Sequence, residues 1–196
     1  VVEARDLGIP VFAETCPHYL FFDESAYAAT DEEDSFDTAR LVMSPPLRSK
    51  EAQNALWTAL KTDDLQLIST DHCPYCLKEG HQGKINQKPF GKDDFSKIPN
   101  GVPGVETRMT VVYDGGVRSG RISLNRYVEL MSTAPAKLFG LFPKKGTIAV
   151  GSDADIVIFD PNEQHTISAA TQHSDCDFTL FEGHRVQGKV KKVLLR

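Results

Sequence analysis

Between residues 49 and 71 the sequence changes period twice, and this change limits the possible folds more than any other stretch of the chain. Ser49 to Lys61 carries Ala52, Ala55, Leu56, Ala59 and Leu60 at three- and four-residue spacing, the mark of an amphipathic helix. Ser49 is placed to cap it alone, since Ala52 completes no capping box. Leu65-Gln66-Leu67-Ile68-Ser69-Thr70 then reads as a short strand, and polar chemistry begins at its C-terminal end with Asp71-His72. Upstream, Val1 to Leu7 reads as the tail of a helix stopped by Gly8, and Ile9-Pro10-Val11-Phe12-Ala13 as a short buried strand. Helix, strand, loop, helix, strand in this order predicts parallel βα units, in which functional residues gather at the C-terminal ends of strands.

The rest of the chain divides into two textures. Asp23 to Asp37 is acidic and without a clean period, which predicts loop with a short helix. Cys73 to Gly104 is a long loop rich in Lys, Gly and Pro, of the kind that is functional or disordered inside a compact domain. Helical patterns return at Val105 to Val112, Asn125 to Met131 and Ala136 to Leu141. After Gly146 the runs become short and β-like: Thr147 to Val150, Ala154 to Phe159, Thr179 to Phe181 and Lys189 to Leu195, punctuated by Gly, Asp, Pro and Asn. We therefore expect one unit over residues 1–143 and a small antiparallel unit over 144–196.

Composition narrows the function classes. In 196 residues, 40% hydrophobic and 25% charged content supports a sizeable core and argues against global disorder. No apolar run approaches the roughly 18 residues of a membrane span. The net charge of -5 is spread along the chain, and the basic residues form no stripe with interleaved aromatics, so a nucleic-acid surface is not expected. A small neutral or anionic substrate remains. Cys16, Cys73, Cys76 and Cys176 are too few and too unevenly spaced for a disulfide framework, which favours a reducing cytoplasm. The chain opens on Val1-Val2-Glu3 with neither an initiator Met nor a secretory signal, as expected of a fragment or a processed chain.

Four stretches could carry chemistry, and each has a plainer reading. Asp71, at the end of a strand, either caps the next turn or supplies an anion to a site; His72 beside it points to the opposite face, so the two are not expected to share an ion. Cys73-Pro74-Tyr75-Cys76 has zinc-knuckle spacing, and Cys16 with His18 could complete four ligands, but buried cysteines acting as small hydrophobes are the simpler expectation. In Met43-Ser44-Pro45-Pro46-Leu47-Arg48 two prolines stiffen a turn that could present backbone groups to a ligand amide. Ile98-Pro99-Asn100-Gly101-Val102-Pro103-Gly104 is a turn signal of the same kind.

Read in order, Glu14-Thr15-Cys16-Pro17-His18-Tyr19-Leu20, Met43-Ser44-Pro45-Pro46-Leu47-Arg48 and Ser69-Thr70-Asp71-His72-Cys73-Pro74 resemble successive motifs of the dihydropyrimidinase and D-hydantoinase family. Gly91-Lys92-Asp93-Asp94-Phe95, Pro99-Asn100-Gly101, Gly104-Val105-Glu106, Lys145-Gly146 and Gly151 to Val157 continue the series, so the resemblance covers nearly the whole chain. It implies an α/β fold: the last βα units of a (β/α)8 TIM-like barrel followed by C-terminal strands of a small β-sandwich. It also implies hydrolysis of a cyclic amide, a dihydropyrimidine or hydantoin ring, by two divalent metal ions, usually zinc, bridged by a carboxylated lysine that this chain does not contain. Asp71 matches the family's metal-ligand aspartate, which also moves a proton, and Ser44 and Asn100 match the positions whose backbone groups hold the ring. A homotetramer is the family's common assembly. Allantoinase or dihydroorotase-like enzymes, and the non-catalytic dihydropyrimidinase-related scaffold proteins, are the alternatives.

Overall fold

The computed structural model describes residues 1–28, 36–78 and 87–195. Two strands, β1 (Glu14–Thr15) and β2 (Leu67–Ile68), pair in parallel with Glu14 opposite Leu67 and Thr15 opposite Ile68. The ladder extends by one bond on each side, from Gln66 N to the Ala13 carbonyl at 3.0 Å and from Ser69 N to the Thr15 carbonyl at 2.9 Å. Parallel strands need a long crossover. Helix α1 (Val2–Asp6) precedes β1, and helices α2 (Pro17–Phe21) and α3 (Lys50–Thr62) lie within the crossover and pack on each other.

Helix α3 forms where the spacing predicted it. Ser49 accepts a hydrogen bond from Ala52 N at 3.4 Å, and Asp63 ends the helix in the left-handed region with φ 69°. Its inward face buries Gln53, Trp57 and Leu60. Trp57 stacks edge-on against Phe21 at 5.8 Å and donates Nε1 to the Leu20 carbonyl at 3.1 Å, so its one polar atom is satisfied inside the core. Arg126, on α5 (Leu124–Val128), ties the end of α3 to β2: Nε reaches the Leu60 carbonyl at 2.7 Å, and one terminal nitrogen reaches both the Leu65 carbonyl and the Asp63 carboxylate at 2.8 Å. Because Ser49 is the side-chain cap of a thirteen-residue helix, Ser49→Ala is expected to cost about 1 kcal/mol in denaturant unfolding.

Helix α4 (Arg108–Val112) runs on into a wider π turn over Tyr113–Arg118, and α5 runs through a second π turn, Glu129–Thr133, into α6 (Ala134–Leu138). The chain then forms an antiparallel ribbon of β3 (Ile156–Thr166) and β4 (Arg185–Leu194), whose register slips twice. Gly188, at φ 105°, lets the ribbon lie against Tyr113: a Cβ there would stand 2.4 Å from the Tyr113 ring. Val157, Ile158, Val193 and Leu194 of the ribbon stay exposed. The apolar core is continuous across residue 143, since Ile167, Phe178, Leu180, Phe181 and Val186 cluster with Leu20, Trp57, Ile68 and Leu130.

Three expected strands do not form. Ile9 to Phe12 is irregular, with Ile9 and Phe12 exposed, and pairing starts only at Ala13. Pro10 has no N–H to donate, so the run has less to offer a ladder than its apolar content suggests. Thr147 to Val150 and Thr179 to Phe181 are turns and irregular chain. Ile148 and Val150 are exposed, and strand preference of such residues depends on a surface to pack on. The acidic stretch after Asp23 contributes a short 3-10 turn, Glu24–Tyr27, while residues 29–35 of it and 79–86 of the long loop lie outside the described residues. Among the described residues no helix is long and apolar enough to cross a membrane.

Candidate functional site

Asp71 sits just beyond β2, as a functional residue of a βα unit should. It is exposed and turns into the left-handed region with φ 43°, which aspartate tolerates better than most residues. With Cys16, Tyr19, Pro45, Arg48 and Leu56 it lines a cavity of about 580 Å³. His72 faces the other way and borders a separate hollow of about 1080 Å³ beside Glu106 and the β3–β4 ribbon. Its Nδ1 accepts from Gly104 N at 3.1 Å and Val105 N at 3.3 Å, so His72 is spent on holding the loop.

The structure brings Ser44 and Asn100 together across 56 residues of sequence, Ser44 Oγ donating to Asn100 Oδ1 at 3.2 Å. Both side chains are exposed, while the bonds that fix this corner run through their neighbours. Gly101 N donates to the Val42 carbonyl at 3.0 Å, and Cys73 N to the Val102 carbonyl at 3.0 Å. Lys88, fully buried, donates Nζ to the carbonyls of Val42 at 2.8 Å and Pro99 at 2.7 Å. Tyr19 closes the circle: its hydroxyl donates to the Pro45 carbonyl at 2.8 Å.

Asp71 is felt by this group. Burial pushes the Tyr19 hydroxyl up to about 12, and the charges of Cys16 and Asp71 push the same way. Burial lowers His18 to about 4, against the pull of Asp71, so that imidazole is neutral near pH 7. Burial also raises the Cys16 and Cys73 thiols, again with Asp71 adding to the effect. The arrangement is thus a carboxylate at a strand end, beside a cavity whose wall includes Cys16, Tyr19, Arg48 and the Pro45-Pro46 turn, with the Asn100 turn tied to the Ser44 segment next to it.

Among the described residues the cluster with metal-ligand spacing is Cys76, Cys176 and Asp177, whose donor atoms lie within 4.8 Å of one another. Its chemistry fits a structural stitch better. The Asp177 oxygens accept from Leu77 N at 2.8 Å and Lys78 N at 2.6 Å, Cys176 Sγ donates to the Tyr75 carbonyl at 3.3 Å, and burial pushes the Cys176 thiol up to about 11. The knuckle of Cys73 and Cys76 with Cys16 and His18 does not assemble; Cys16 Sγ instead meets Ser69 Oγ at 3.2 Å. Asp71 therefore offers one carboxylate, and a metal centre there would need further ligands beyond those the described residues bring to it. Sequence reasoning missed Tyr19 and Lys88. Tyr19 lay inside a quoted motif without a role, and nothing in the local pattern of Lys88 signals burial.

Residues 12–194 match the Amidohydrolase family. The chain belongs to that family. Among relatives, this amidohydrolase is 49% identical over 196 residues to a D-hydantoinase of Streptomyces coelicolor and 48% identical over 196 residues to one of Geobacillus stearothermophilus. Each alignment covers 100% of this chain and 39% of the relative, so the chain spans about two fifths of the length of the curated relatives it matches. Among solved structures, a D-hydantoinase from a Bacillus species superposes with a TM-score of 0.90 at 52% identity, over 98% of this chain and 40% of that one. A dihydropyrimidinase from Brevibacillus agri gives 0.89 at 51% identity with the same coverage. The amidohydrolase chain is accordingly of the α/β class, and it resembles one continuous share of hydantoinase-type folds.

Proposed function

We propose that this chain is part of a metal-dependent hydrolase that opens a cyclic amide, a hydantoin or dihydropyrimidine ring. In this reading it supplies the last βα units of a (β/α)8 barrel and the strands of a small β-sandwich that follow, with the division near residue 143. The observation that carries the proposal is 49% identity to a D-hydantoinase along all 196 residues, around a cavity bordered by a strand-end aspartate.

Asp71 has the chemistry for two roles there. Exposed and hooked out of the strand, it can ligate a divalent ion, and as a carboxylate it can accept a proton from the attacking water and return it to the leaving ring nitrogen. A pair of divalent ions, zinc by the family's usual choice and bridged by a carboxylated lysine from outside this chain, would supply carbonyl polarisation and a low-pKa water when bound. The main-chain amide and carbonyl groups of Ser44 and Asn100 would hold the imide edge of the ring, which reads the ring and leaves its substituent to other loops. The same reading makes the complete protein a cytoplasmic homotetramer.

Metal analysis and a ring-opening assay test this. The complete protein is expected to open hydantoin or dihydrouracil and to lose turnover on chelation, whereas the polypeptide of residues 1–196 alone binds no metal pair and turns over neither ring. A complete, metal-loaded protein inert towards both rings removes the activity. Two bound metals with turnover by residues 1–196 alone removes the shared-site reading.

A further inference from the structure

Burying a lysine costs both rotamer entropy and the hydration of its charge, so a lysine with no exposed surface needs strong partners. Lys88 lies in a polar loop yet has 0% exposure. Its Nζ donates to two carbonyls, Val42 at 2.8 Å and Pro99 at 2.7 Å, distances typical of charge-assisted bonds. Burial lowers its pKa to about 8, with the Cys73 and Cys176 thiols opposing, so near pH 7 the ammonium form predominates.

What matters is where those carbonyls stand. Val42 precedes Ser44 by two residues, and Pro99 immediately precedes Asn100. The Val42 carbonyl also receives Gly101 N at 3.0 Å, so one oxygen gathers the Ser44 segment, the Asn100 segment and the lysine. An exposed hydrogen bond between the two side chains, at 3.2 Å, could not by itself hold two turns in register against water. A buried ammonium bonded to both can.

We propose that Lys88 is a positioning residue for substrate recognition: it sets the separation of the Ser44 and Asn100 main-chain groups that grip the imide edge of the ring. This rests on the ring-holding role given above to Ser44 and Asn100. Lys88 touches no reacting atom, so its loss should appear in how tightly the ring is held.

The test uses the complete, metal-loaded protein and two ligands, hydantoin and 3-methylhydantoin, whose methyl group blocks the imide nitrogen. Lys88→Met keeps an unbranched chain and removes all three donors. The parent is expected to bind hydantoin roughly tenfold or more tightly than its methyl derivative. Losing bonds from a charged donor should raise KM for hydantoin roughly 10- to 100-fold, change kcat by less than about threefold and shrink the discrimination against the methyl group. A merely structural lysine would give fewer folded molecules, lowering apparent kcat and leaving KM and discrimination alone. That result overturns the proposal. A parent that does not discriminate overturns the Ser44 and Asn100 reading itself. Should Lys88→Met fail to fold, Lys88→Gln carries the same test, because an amide is too short to reach both carbonyls; parent-like KM and discrimination in that variant likewise overturn the role.

Discussion

Replacing Asp71 is expected to lower turnover of the complete protein by roughly a thousandfold or more, because one side chain would be removed both as a metal ligand and as a proton acceptor. The local backbone makes the choice of substitution matter. Asp71 holds φ 43°, where alanine is strained and asparagine is not. Asp71→Asn preserves the shape and the left-handed turn while deleting the charge, so thermal unfolding should match the parent while kcat collapses. Asp71→Ala should lose as much activity and in addition about 1 kcal/mol of stability, the usual penalty for a side chain without local hydrogen bonding in that region. Steady-state kinetics, metal content and circular dichroism on the same preparations decide it. An Asp71→Asn enzyme within a few-fold of the parent would remove Asp71 from the chemistry.

Gly101→Val should be the second most damaging change. Gly101 has φ 131°, a conformation closed to β-branched residues, and any Cβ there would stand 2.4 Å from the Cβ of Cys73 and 2.8 Å from its Sγ. The residue cannot retreat, since its N–H is held by the Val42 carbonyl and the next residue accepts from Cys73 N. Relief has to come from moving the 98–104 turn, and with it the main chain of Asn100. We expect about 2–4 kcal/mol of lost stability from strain and overpacking, and kcat/KM for hydantoin lower by roughly two orders of magnitude or more at temperatures where the variant is folded. Ser44→Ala is the counterpart: it deletes one exposed hydrogen bond and keeps every main-chain group, so kcat/KM should stay within a few-fold. A large loss in Ser44→Ala beside a mild Gly101→Val would mean that side chains read the ring.

The sequence exposed those features in which a local pattern and the final environment coincide. Helix α3 buries the face that its apolar spacing marked, and Ser49 caps it as expected. Strand β2 falls inside the predicted run, and Asp71 follows it. Strand β1 was placed too early, because Ile9, Val11 and Phe12 look like core while Ile9 and Phe12 face water and Ala13 begins the pairing. The candidate site was less legible. Ser44 and Asn100 are far apart in sequence, and only the ordered motifs of a family suggested that they belong together. Lys88 was invisible for a sharper reason. Burial of a lysine is decided by the carbonyls of Val42 and Pro99, and main-chain acceptors leave no trace in residue identity. His72 was more legible: strand alternation set it on the face opposite Asp71, and there the loop amides of Gly104 and Val105 donate to its ring.

The β3–β4 ribbon has a consequence for handling the polypeptide. Among the described residues neither strand has a second neighbour, and one apolar set, Val157, Ile158, Val193 and Leu194, faces solvent. Unpaired edges beside exposed apolar side chains are templates for adding another strand from any chain that offers one. The charges standing guard sit on the surface: Glu163 pairs with Lys189 at 3.0 Å and with Lys191 at 2.5 Å. Salt weakens such pairs and leaves apolar attraction intact. Residues 1–196 produced alone are therefore expected to associate through this ribbon, and a buffer of low ionic strength and low protein concentration is the setting in which their own folding can be watched.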